Sequence, residues 1–324
     1  MGTDIAIIGC GYWGRNLVRN FAELGALHTI CDTSPDVLSR FEAVYPDVNL
    51  QASFKQVLTN NEIKGVVIST PAALHYSMAK QALLAGKDVF VEKPLTTSSK
   101  DAQELAELSI KQQRMLMVGH LLLYHPAVQT LKQYVESGEL GEIYYLYSTR
   151  VNLGQIRRDE SVLWRLTPHD IAVFIYLLNS LPTVVSAQGT CYVQNNLEDV
   201  VFVTLKFGDT LAHIHASWLD PHKTRQLTVV GNKKMAVFDD MEPEHKLKIY
   251  NKGVINNTLL TRSGEVILPP LNLTEPLFLE CQEFIHCIKD RCQPLSDGKQ
   301  GLEVVRVVEA AQKSLKTNSE SQRL

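Results

Sequence analysis

The chain has 324 residues, 45% of them hydrophobic, a formal charge of -3 and six cysteines. That length suits two domains. The mild, evenly mixed charge gives no electrostatic footprint for nucleic acid, and no apolar run is long enough to span a bilayer. The N-terminus lacks a basic segment followed by a long apolar one, so a cytoplasmic protein is expected.

Asp4 to Ile8 reads as a short buried strand that runs into Gly9-Cys10-Gly11-Tyr12-Trp13-Gly14. Apolar residues at Leu17, Val18, Phe21, Ala22 and Leu24 then mark a helix. A second strand, Leu27 to Cys31, ends at Asp32. Strand, G-x-G-x-x-G, helix and a later acid form the dinucleotide fingerprint. Gly9 permits the tight turn, Gly11 lets backbone approach a pyrophosphate, and Gly14 lets the helix pack on the sheet. The helix N-terminus offers free N–H groups to phosphate. Asp32 can accept both adenosine ribose hydroxyls and repels a 2′-phosphate, which points to NAD rather than NADP.

The alternation continues. Ser34-Pro35 opens a helix through Val44, and Asn49 to Gln51 is a strand. Ser53 caps a helix, Phe54 to Leu58. A strand over Gly65 to Ser69 leads to Thr70-Pro71 and a helix from about Leu74 to Leu84. The strand Val89 to Val91 leads to Glu92-Lys93-Pro94, then come a helix from Ser98 to Lys111 and a strand over Met115 to Val118. Six alternations predict a doubly wound parallel sheet with ligand across the carboxyl ends of its strands. Those ends are Gly9, Asp32, Thr70, Glu92 and His120.

These residues carry a family likeness. The glycine fingerprint, Thr70-Pro71 with His75 following, and Glu92-Lys93-Pro94 together resemble the glucose–fructose oxidoreductase / inositol dehydrogenase / rhizopine-catabolism (Gfo/Idh/MocA) family. The resemblance implies a Rossmann domain over 1–121. It also implies a substrate-binding and oligomerising α+β domain over 122–324, built on a large open, mostly antiparallel sheet. A homodimer or homotetramer through that sheet and a cis Lys93–Pro94 bond are further implications. The chemistry implied is hydride transfer between NAD(P) and a sugar, polyol or related carbonyl. Gly11 to Asn16, Gly119 to Ala127 and Leu163 to Asp170 look closest to its nucleotide-sugar 3-dehydrogenase branch. This gives the expected activity: oxidation of the 3-hydroxyl of a UDP-N-acetylglucosamine-like sugar to a 3-keto sugar, for amino-sugar or lipopolysaccharide synthesis. Free sugar or inositol dehydrogenases, NADP-dependent deoxysugar ketoreductases and non-catalytic dinucleotide sensors are the rival readings.

In the second half, His125-Pro126 starts a helix that Gly138 ends, and Ile143 to Val151 is a strand. Asn152 to Trp164 is a polar loop whose cations would suit a sugar diphosphate. Pro168-His169-Asp170 begins an apolar helix, so the helix dipole should favour a neutral His169 imidazole. The resemblance makes His169 the catalytic histidine. Many family members carry an aspartate four residues earlier, where this chain has Arg165. Six strands follow between Thr183 and Tyr250, with a hairpin turn at Phe207-Gly208-Asp209-Thr210, and two helices close the chain before a frayed tail, Thr317 to Leu324. His213 and His215 share a strand face without a third ligand by spacing, and the cysteines read as reduced thiols, so no metal is expected.

The expected site is therefore as follows. Lys93 and His169 are catalytic. Gly9, Gly11, Tyr12, Trp13, Gly14, Asp32, Thr70, Pro71, His75, Glu92, Lys93 and His120 hold the cofactor. Lys93, Tyr124, Asn152, Arg157, Trp164, Arg165 and His169 meet the substrate.

Overall fold

The computed structural model describes the chain except residues 1–3, 155, 157, 159, 256, 257 and 273. It divides into two compact units, Met1–Tyr124 with Thr274–Val305, and His125–Leu273 with Arg306–Leu324.

The first unit alternates strictly. β1 (Ile5–Ile8), α1 (Gly14–Glu23), β2 (Leu27–Cys31), α2 (Pro35–Glu42), β3 (Asn49–Gln51) and α3 (Phe54–Thr59) form its first half. β4 (Gly65–Ile68), α4 (Ala72–Leu84), β5 (Asp88–Glu92), α5 (Ser99–Lys111) and β6 (Leu116–Gly119) form the second. The strands pair in parallel in the order β3-β2-β1-β4-β5-β6. β1, β4 and β5 are buried along their whole length, as a sheet covered on both faces requires. The order reverses between β1 and β4, the switch point where such sheets bind ligand. Ser53 occupies the residue before α3 without a side-chain cap bond, whereas Ser98 accepts the Asp101 amide at α5.

The second unit contains α6 (Pro126–Glu136), β7 (Ile143–Val151), α7 (Val162–Leu178), β8 (Val184–Thr190), β9 (Val200–Phe207) and β10 (Thr210–Ser217). It continues with β11 (Thr224–Gly231), β12 (Met235–Asp239), β13 (Leu247–Val254) and β14 (Thr261–Ile267). Its nine-stranded sheet is antiparallel except where β10 runs parallel to β7. Phe207 pairs with Thr210, and Gly208, at φ 58°, makes the two-residue turn. One face packs on α7; the other carries exposed Tyr145, Tyr147, Phe202 and Leu211.

The chain then departs from the expected simple division. α8 (Pro276–Asp290) belongs to the first unit, where Phe284 packs edge-on against Phe21 and Phe90 at 6.3 and 5.6 Å. Its apolar stripe Leu277, Cys281, Phe284 and Ile288 finds a face there that the Rossmann elements leave uncovered. α9 (Gly298–Lys316) is divided at Val305/Arg306. The tail is not frayed at its end: β15 (Gln322–Arg323) adds to the sheet edge beside β8.

Candidate active site

In the first unit the pairing registers align Ile8 with Cys31 and Ile68, Ile68 with Val91, and Glu92 with Gly119. The five expected strand-end residues therefore lie along one edge of the sheet. Gly9, at φ +82°, has a conformation that a side chain resists, and an added Cβ would also meet Ser69 O at 2.9 Å. Gly14 is buried against the Gly9 carbonyl. Gly11 is exposed, and nothing lies within 4 Å of an added Cβ. That open approach, the α1 N-terminus without acidic residues in its first turn, and Asp32 at the end of β2 together fit a dinucleotide diphosphate and ribose. Asp32 also organises the turn, accepting the amides of Cys10 (2.7 Å) and Ser34 (2.9 Å) on separate oxygens.

Glu92 ties this turn to Lys93. Its Oε1 accepts a short hydrogen bond from the Trp13 indole, and its Oε2 lies 3.3 Å from the Lys93 amide. Beside it a Cβ on Gly119 would lie 2.9 Å from Glu92 Oε2, so a side chain there would displace the carboxylate. Lys93 is half-buried and precedes a cis peptide bond to Pro94. His120 is 2% exposed and, among the described residues, neither ring nitrogen has a hydrogen-bond partner. Burial, with Lys93 adding, lowers its pKa to about 3, so the ring is neutral.

Two expected contacts, His75 and Tyr124, are buried in the first unit. The buried His75 ring spans two main-chain carbonyls, Nδ1 2.7 Å from Pro94 O and Nε2 2.8 Å from Thr70 O. It braces the loops after β4 and β5 and offers no surface to a ligand. Tyr12 is exposed, with the Arg15 guanidinium 4.9 Å above its ring. Thr70 and Pro71 start the loop into α4, with Thr70 Oγ1 3.6 Å from Met78 Sδ. Tyr124 is buried in the first unit's core, its hydroxyl 3.0 Å from Ser296 Oγ. It is a packing residue and leaves the list of substrate contacts.

The second unit holds the other expected substrate residues. α7 starts at Val162, not at Pro168, which lies inside it. His169 is therefore seven residues past the first helical position, beyond the reach of the N-terminal dipole, which does not favour a neutral imidazole there. Arg165 stands one turn before His169, its Nη1 3.4 Å from Glu160 Oε2. The Trp164 indole donates to Gln312 Oε1 at 3.1 Å, and the Asn152 main-chain N–H donates to Ser217 O at 3.1 Å. Arg157 lies outside the described residues.

Two buried charge systems escaped the sequence reading. Asp170, next to His169, is gripped by Arg150 of β7 through Nε at 2.8 Å and Nη2 at 3.1 Å. Both residues are buried, so this pair fixes the helix turn that bears His169. The signal was a charge on the buried side of each element. In the first unit Glu280 is 0% exposed, and neither of its oxygens has a hydrogen-bond partner among the described residues. Phe284, one turn further along α8, packs on Phe90, and Glu92 is two residues beyond Phe90 on the same strand face. Burial, then the Glu92 charge, push the Glu280 carboxyl well above the ordinary range, favouring the neutral acid.

A doubly wound sheet with an open glycine turn after β1, an acid at the end of β2 and a lysine at the end of β5 defines a dinucleotide-dependent oxidoreductase. Two family models agree: the oxidoreductase family with NAD-binding Rossmann fold matches residues 3–120, and the GFO/IDH/MocA C-terminal domain matches 128–237. The chain belongs to the Gfo/Idh/MocA oxidoreductase family and uses a nicotinamide dinucleotide. It is 26% identical to a UDP-N-acetylglucosamine 3-dehydrogenase of Acidithiobacillus ferrooxidans over 76% of each chain. It is also 26% identical to a scyllo-inositol 2-dehydrogenase (NAD(+)) of Bacillus subtilis, over 90% of this chain and 87% of the relative. The crystal structure of the Acidithiobacillus enzyme superposes with a TM-score of 0.85 over 98% of this chain and 99% of that one, at 23% identity. An aldose-aldose oxidoreductase from Caulobacter crescentus gives 0.87 over all of both chains at 18% identity, a likeness of fold alone. No described helix is long and apolar enough to cross a membrane.

Proposed function

We propose that the chain is an NAD-dependent dehydrogenase that oxidises the 3-hydroxyl of a UDP-N-acetylglucosamine-like sugar to the 3-keto sugar, a step suited to amino-sugar and lipopolysaccharide synthesis. The observation that carries the reading is the chain Trp13–Glu92–Lys93, which couples the glycine turn to a lysine at the sheet's carboxyl edge. Gly9, Gly11, Gly14 and the α1 N-terminus would hold the diphosphate and Asp32 the adenosine ribose; the carboxylate disfavours a 2′-phosphate, hence NAD over NADP. The bound nicotinamide supplies a hydride acceptor. Lys93 hydrogen-bonds the reacting oxygen and stabilises its developing negative charge. His169 takes the hydroxyl proton, its helix turn held by the Arg150–Asp170 pair. Arg165 replaces the aspartate common in the family; as a cation it binds substrate rather than moving a proton.

The test is turnover of UDP-N-acetylglucosamine with NAD, followed by reduced-cofactor absorbance, in Lys93→Met and His169→Ala. Each should lose about 100-fold or more in kcat, the scale of a lost acid–base or electrostatic group. Near-native turnover in both variants refutes the assignment. A free-inositol panel run beside it separates the second reading, which the Bacillus relative's 90% coverage of this chain favours. The exposed Tyr145, Tyr147, Phe202 and Leu211 face of the large sheet is proposed as a homodimer surface. Sedimentation of Tyr147→Lys against the parent chain checks this.

A further inference from the structure

Cys287 and Cys292 are five residues apart, a separation that a continuous helix would split between faces. They meet because α8 ends at Asp290 and Arg291 turns the chain back in the left-handed region, at φ 54° and ψ 34°. Arg291 is held there by Asp88: its Nη1 lies 2.9 Å from each carboxylate oxygen. The two sulfurs come within 3.0 Å, inside ordinary sulfur–sulfur contact. About 1 Å of further approach makes a disulfide. Their settings differ in the way that attacking and resolving thiols do. Cys292 is exposed and Cys287 buried, and burial together with the Cys292 contact pushes the Cys287 thiol up, so it stays protonated at rest.

We propose that Cys287 and Cys292 form a reversible thiol–disulfide pair, with Cys292 reacting first and Cys287 resolving. With a peroxide as oxidant, the Cys292 thiolate sulfur attacks one peroxide oxygen. The O–O bond breaks, hydroxide leaves and takes a proton as water, and Cys292 becomes a sulfenic acid. The Cys287 sulfur then attacks the Cys292 sulfur; the S–O bond breaks, and the departing hydroxide leaves as water with the Cys287 proton. Two thiols lose two hydrogen atoms, and one hydrogen peroxide becomes two waters.

The sequence provides a direct readout. Lys289 and Arg291 lie between the cysteines, so trypsin leaves Cys292–Lys299 joined to Ser263–Lys289 only through the disulfide. The full-length chain is reduced, freed of reductant, treated with hydrogen peroxide while folded, alkylated and digested. The expected product is the linked peptide pair, lighter than the sum of its parts by two hydrogen atoms. Fragmentation should place the bond on Cys287 rather than Cys281, and dithiothreitol should abolish the pair. Cys287→Ser should instead accumulate a Cys292 sulfenic acid that dimedone traps. Three results would overturn the proposal: Cys292 still fully alkylated after oxidation, Cys292 linked to Cys191 (the other exposed thiol) or to a second chain, or sulfenic and sulfinic acid as its sole products in the unsubstituted chain.

Discussion

Gly11 and Gly14 share one motif but do different things, and alanine at each separates them. At Gly14 the new methyl would lie 3.0 Å from the Gly9 carbonyl carbon and nearer still to its oxygen. Gly9 is itself tied to the sheet, its amide donating to Cys31 O at 2.9 Å. Overpacking of this kind costs about 1–3 kcal/mol, and a rigid backbone neighbour puts it toward the upper end. A loss of about 2–3 kcal/mol should lower the thermal midpoint by roughly 5–10 °C. At Gly11 the methyl meets nothing and the backbone is not left-handed, so stability should change by less than about 1 kcal/mol. There the methyl stands where a pyrophosphate approaches. Losing one charge-assisted hydrogen bond, about 1.5–3 kcal/mol, weakens binding roughly 10- to 150-fold. Thermal unfolding and NADH fluorescence titration of both variants read the two effects. Unimpaired NADH binding by Gly11→Ala would refute the cradle, and an unchanged midpoint in Gly14→Ala would refute the packing argument.

Arg150→Met should leave Asp170 as an uncompensated buried charge and destabilise the fold by about 3–5 kcal/mol. The double change Arg150→Met, Asp170→Leu should recover most of that in urea unfolding. Glu280 binds a proton more tightly folded than unfolded, so its contribution is present below the ordinary glutamate range and declines as pH rises above it. Glu280→Gln should therefore match the parent below the ordinary glutamate range and exceed it increasingly as pH rises above that range. A difference that stays constant with pH would count against the neutral acid. His120 has the opposite sense. Its folded pKa of about 3 lies below the ordinary 6.5, so the unfolded chain takes the proton first and stability falls as pH drops through that interval. His120→Gln should flatten the acid limb of a stability–pH profile by up to about 1.4 kcal/mol per pH unit.

The start of α7 shows what local pattern misses. A proline ahead of an apolar run suits a helix's first turn, yet α7 carries Pro168 in its interior, and its first turn is made by Val162 to Arg165. The same limit appears at His75 and Tyr124. Their residue types suit ligand contacts, but the fold spends their polar atoms on Thr70, Pro94 and Ser296.

The sequence by itself determined what neighbouring residues can encode: six strand–helix alternations, the glycine turn, and a glycine or polar residue at the carboxyl ends of five strands. Those follow from periodicity and backbone sterics, which act over a few residues. Only the tertiary structure decided the contacts between distant segments. Trp13 reaches Glu92 across 79 residues of chain. Glu280 comes up behind the same strand because α8 rejoins the first unit, and Arg150 finds Asp170 inside the second. Burial makes each of these polar groups strong or costly, and burial is a property of the assembled fold.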